Sequence, residues 1–86
     1  MDEDKREKIE EIDKKMQEEG WNFKGAILHY KNAYKEQASV YEKNGKYIVV
    51  GLDSNGENRL SEPILKDEAE QRIEESLKEI RKFMLS

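Results

Sequence analysis

The sequence predicts an α+β domain in which two helices bracket an antiparallel sheet. Three observations predict it. Apolar residues recur at helical spacing near both ends of the chain. Asn44-Gly45 separates two strand-like runs, and Asp53-Ser54-Asn55-Gly56 marks a second turn. The expected order is α-β-β-β-β-α, with ααβββα as the alternative. At 86 residues the chain is one domain, residues 1–86.

The first helix is expected over residues 2–19. Ile9, Ile12 and Met16 form a narrow apolar stripe, which suits a helix lying on a sheet. Acids crowd its first turn, where the helix dipole favours them. Gly20 supplies a left-handed stop, and Trp21 is placed to fold back on the last turn.

Residues 22–37 read both ways. Phe23, Ala26, Ile27, Tyr30 and Tyr34 fit a helix, whereas Gly25 and the β-favouring Ile27, Tyr30, Tyr34 and Val40 favour strands. The strand reading is preferred, with a strand over 26–31 and a loop at Lys31-Asn32-Ala33. It leads into a long strand that ends at Lys43. The hairpin follows, 40–43 and 46–52 around Asn44-Gly45, whose residues accept the positive φ of a type I′ turn. The run Tyr47, Ile48, Val49, Val50 and Leu52 suits a central strand. A short strand is expected over 58–61.

Pro63 blocks an early start of the last helix. Asp67 with Glu70 reads as a capping box. Ala69, Ile73, Leu77, Ile80 and Met84 then recur at steps of four, four, three and four. Phe83 and Leu85 widen this face, and Glu74–Lys78 is an i,i+4 pair.

Composition narrows function. With no cysteine, disulfides, thiolate zinc sites and cysteine nucleophiles are excluded. His29 is the single histidine, without an orienting carboxylate or nucleophile evident beside it, and reads as a surface or sheet residue. The Asp53 turn resembles a calcium loop only at its start, because Ile64 stands where the twelfth-position acid belongs. The five glycines include no phosphate-cradling motif. No catalytic residue, metal ligand, cofactor or small-molecule substrate is expected, and the chain reads as a non-enzyme. The acidic start lacks the apolar segment of a signal peptide, and no run approaches a membrane span. A cytoplasmic protein without membrane contact is expected.

The net charge of −4 is unevenly spread. Nine acids and five bases fall in residues 1–19, and five lysines face Glu36 and Glu42 in residues 20–47. Two partner surfaces follow. The first is acidic: Glu3, Glu7, Glu10, Glu11 and Glu18 offer negative charge to a basic groove on another protein. The second interleaves bases with aromatics: Lys31, Tyr34, Lys35, Tyr41, Lys43, Lys46 and Tyr47 suit stacking of single-stranded bases on a sheet. The null for this second set is that tyrosines pack the sheet while lysines protect its edges.

Residues 40–81 resemble the arm-type DNA-binding domain of tyrosine integrases. The outline shared is strand, Asn44-Gly45 turn, strand, Ser54-Asn55-Gly56 turn, strand, then a helix opening Asp67-Glu68-Ala69. That resemblance implies a sheet face that enters the major groove; such sheets are usually rich in Arg and Lys, whereas the second turn and third strand here offer only Arg59. In size and Lys/Glu/Ile/Asn-rich style the whole chain is similar to small phage and mobile-element proteins, among them anti-CRISPR proteins. This likeness implies an inhibitor that occludes a nucleic-acid-binding site. Caps, an Asn-Gly turn and Glu/Lys-laced helices are also devices of designed proteins without biological function. The sequence therefore predicts a non-enzymatic interaction protein of inhibitor type that binds a host protein. The alternatives are a nucleic-acid-binding module and a designed domain. Partner identity and oligomeric state are left open.

Overall fold

The computed structural model describes residues 3–28, 37–53 and 55–85. It has the order α1 (Glu3–Glu18), β1 (Asn22–Leu28), β2 (Gln37–Lys43), β3 (Lys46–Leu52), β4 (Arg59–Ile64) and α2 (Lys66–Leu85). The four strands form an antiparallel meander in the spatial order β1-β2-β3-β4. This is the α-β-β-β-β-α reading, and the helical alternative for the segment after Trp21 is set aside at residues 22–28. The expected turn at Lys31-Asn32-Ala33 lies outside the described residues, as do His29, Tyr30 and Tyr34.

The helices cover opposite faces of the sheet. Because side chains alternate along a strand, each strand feeds both faces. Ile27, Ala38, Val40 and Val49 point to α2 and pack with Ala69, with Tyr47, Leu60, Ile64 and Ile73 around them. Tyr41 and Val50 point to α1 and pack with Met16, flanked by Ile12, Trp21 and Ile48. Val40 and Val49 have no exposed surface. Burying each such side chain is worth about 1.5–3 kcal/mol.

Two local details position these layers. The end of α1 is a Schellman cap: Trp21 N–H donates to Met16 O and Gly20 N–H to Gln17 O, both at 3.0 Å. Gly20 takes φ +91°, which a side chain resists, and the cap folds Trp21 onto Met16 as expected. The second detail is a bulge in β1. Phe23 faces Tyr41 and Gly25 faces Val40, so Lys24 is an extra residue. The bulge turns Gly25 and Ile27 toward α2. It also breaks the period-2 pattern, which hides from the sequence that the strand starts at Asn22, before the expected residue 26.

The hairpin turn has Asn44 at φ 52° and Gly45 at φ 81°, and its register pairs Lys43 with Lys46. Gly45 N–H donates to Glu42 Oε2 at 3.0 Å. β4 is longer than expected and holds Pro63 on the sheet edge, where a missing N–H is tolerated. The expected capping box at Asp67 is corrected. Ala69 N–H donates to Leu65 O at 2.9 Å, so the helix opens one turn before Ala69 and Asp67 lies within its first turn. There Asp67 and Glu68 favour the helix dipole without capping it.

Candidate functional site

The outer face of α1 gathers acids, with the exposed base Lys14 among them. At about 100° per residue, Glu7, Glu10, Glu11 and Glu18 fall within one arc, opposite the stripe of Ile9, Ile12 and Met16. All four are exposed. Glu10 meets Arg6 at 3.5 Å, but both side chains are largely solvated and such a pair holds little free energy. Glu3 opens the helix.

The structure also shows which charges are spoken for. Lys8 Nζ donates to Gly56 O at 3.2 Å and ties α1 to the second turn, which withdraws one base from the acidic face. Asp13 turns inward: Tyr41 donates its hydroxyl to Asp13 Oδ1 at 2.6 Å, and Gln17 Nε2 donates to Oδ2 at 3.0 Å. Burial and then the Asp13 hydrogen bond push the Tyr41 phenol far above its ordinary range. That phenol is held protonated and is no general base near neutrality. Between α1 and β1 lies an open hollow of about 280 Å³, lined by Ile9, Glu10, Asp13, Gln17, Phe23 and Ser39. Phe23 is 53% exposed and sets its ring edge-on to Tyr41, with centroids 5.8 Å apart. Carboxylates beside an exposed aromatic ring suit a cationic side chain.

The described members of the Lys/Tyr set, Tyr41, Lys43, Lys46 and Tyr47, do not share a surface. Cross-strand pairing sets Tyr41 against Ile48 and Glu42 against Tyr47. Tyr41 and Tyr47 are therefore on opposite faces. Tyr41 is 2% exposed beneath α1, and Tyr47 is half-buried against the α2 cluster. Lys43 Nζ donates to Glu19 O at 2.7 Å at the end of α1 and lies 5.8 Å from the centre of the Trp21 ring. Lys46 is exposed at the hairpin. Lys31, Tyr34 and Lys35 lie outside the described residues. A stacking platform needs an open sheet face, and both faces here carry a helix.

The Asp53 turn spends its carboxylate on itself. Oδ1 accepts from Asn55 N–H at 3.1 Å and Glu57 N–H at 2.9 Å, and Oδ2 from Asn58 Nδ2 at 2.9 Å. The Glu57 N–H, followed by Asn58, holds this carboxyl below the usual range. Among the described residues no group of three or more His, Cys, Asp or Glu side chains is placed to hold a metal ion. No described helix is long and apolar enough to cross a membrane.

No family model, curated protein or solved structure gives a significant match to the chain.

Sequence reasoning found the acidic helix face but counted Asp13 among the nine acids of residues 1–19 without its inward turn, and it singled out neither Lys8 nor Phe23 for function. The Tyr41–Tyr47 separation was legible. A two-residue Asn-Gly loop sets Glu42 opposite Tyr47, and neighbouring residues on a strand face opposite ways. The Asp13–Tyr41 bond was not, because it joins residues 28 apart across two layers.

Proposed function

We propose that this protein is a non-enzymatic interaction module of inhibitor type, which sets the outer face of α1 against a basic, nucleic-acid-binding surface of another protein. The observation that carries this reading is the exposed arc of Glu7, Glu10, Glu11 and Glu18, opposite buried Met16 and half-buried Ile9 and Ile12. Lys8 and Asp13 turn inward together, one base and one acid, so the outer face keeps the acidic excess of the helix. The hollow beside Phe23 adds an aromatic anchor at the edge of that face. Rim carboxylates of this kind steer association and fix orientation, while the anchor supplies dwell time.

The test is a paired capture experiment with the wild type and the charge-reversal variant E7K/E10K/E11K/E18K. These positions are exposed, so the variant keeps its helix by circular dichroism. The wild type is expected to retain a stoichiometric partner whose nucleic-acid binding it blocks, and the variant to lose it. Equal retention by both, or no stoichiometric partner for either, would refute the reading.

A further inference from the structure

α2 outruns the sheet on which it packs. Its 20 residues span about 30 Å at 1.5 Å per residue, more than the ~20 Å width of four strands or the ~23 Å length of a seven-residue strand. The helix has already reached edge strand β1 at Ile73, whose side chain lies against Gly25. Its apolar face continues past that point in the same arc. Ala69 is fully buried, but Leu77 is 50%, Ile80 39% and Met84 78% exposed, and Leu85 on the flank of this arc is 88% exposed. Beside Ile73 opens a hollow of about 320 Å³, walled by Tyr47, Ile73 and Leu77 and edged by Lys24, Glu70 and Glu74.

Charge along α2 is graded. Asp67, Glu68, Glu70, Glu74 and Glu75 outnumber Lys66 and Arg72 in its first half, and Lys78, Arg81 and Lys82 outnumber Glu79 in its second. A helix with this gradient and a continuous apolar face is complementary to itself in antiparallel register. A two-fold axis near its Leu77–Ile80 turn sets the basic half of one copy beside the acidic half of the other. The only ion pair Glu74 makes within its own chain among the described residues is with Lys78 at 3.9 Å, between well-solvated side chains, and it exchanges readily.

We propose that the α2 overhang is a homodimer contact. The second copy lays its α2 antiparallel across the first, with its Met84 and Leu85 entering the hollow beside Tyr47 and Ile73 and its Arg81 reaching Glu74. The surface is separate from the outer face of α1 and does not depend on the function proposed for that face.

Sedimentation equilibrium of the full chain from about 1 μM to 1 mM tests it, a range that detects association as weak as about −4 kcal/mol. The wild type is expected to show a reversible monomer–dimer equilibrium. M84E/L85E alters only strongly exposed positions and is expected to weaken association at least tenfold with unchanged circular dichroism. Arg81→Glu weakens it likewise, and adding Glu74→Arg restores it, because two-fold symmetry brings the reversed pair together. A chain monomeric throughout overturns the proposal and leaves the overhang to a different protein. A dimer indifferent to M84E/L85E, or one that Glu74→Arg fails to rescue, overturns it as well.

Discussion

At the scale of single residues, Tyr41 has most to do. Its ring fills the layer between sheet and α1, and its hydroxyl meets the Asp13 carboxylate at 2.6 Å. Removing that hydroxyl by Tyr41→Phe is expected to cost about 1.5–3 kcal/mol at neutral pH, the scale of a hydrogen bond to a charged group. The same substitution has a pH signature. The folded-state phenol titrates above its unfolded value of 10.0, so the folded protein holds a proton that the unfolded chain releases. The stability this contributes is complete below about pH 10 and is lost as pH rises toward the folded value. Urea unfolding of the wild type should therefore weaken more steeply than that of Tyr41→Phe between about pH 10 and pH 11.5. Equal slopes would mean that the bond does not bias the proton. The sequence names Tyr41 as an aromatic, and the stacking role read from it gives way to a packing role once α1 covers the face.

Between elements, the decisive contact is that of α2 on β1. The bulge at Lys24 turns Gly25 toward the helix, and a Cβ built at Gly25 would stand 3.0 Å from Ile73 Cγ2 and 3.1 Å from Cγ1. Ile73 is β-branched and stiff at χ1, so it yields little. Gly25→Ala is expected to destabilise by about 1–3 kcal/mol in chemical denaturation, as overpacking does. Pairing it with Ile73→Ala should recover part of that loss, because the two changes share one contact. Full additivity of the two costs would show that Gly25 is needed for something other than helix approach. The helical spacing of Ala69, Ile73 and Leu77 was legible in the sequence. That Ile73 meets a glycine, and that Leu77 lies partly beyond the sheet, was not.

For the whole molecule, the covering of both sheet faces sets where stability resides. Strands β2 and β3 are central and carry Val40, Tyr41, Val49 and Val50, each at most 2% exposed. The far end of α2 carries exposed Leu77, Met84 and Leu85. Native-state hydrogen exchange should find the slowest amides in β2 and β3 and faster ones beyond Leu77 in dilute monomer. Uniform protection along α2 at low concentration would contradict this ordering. The chain by itself determined its elements: apolar periodicity placed both helices, and Asn44-Gly45 set the hairpin and its register. These are local signals, written within a turn or a strand pair. Only the tertiary structure decided that the helices cover opposite faces, that Asp13 turns inward to Tyr41, and that the apolar face of α2 overhangs the sheet. Those outcomes depend on which layer each side chain meets across distant parts of the chain, and on a bulge that shifts one strand by a single residue.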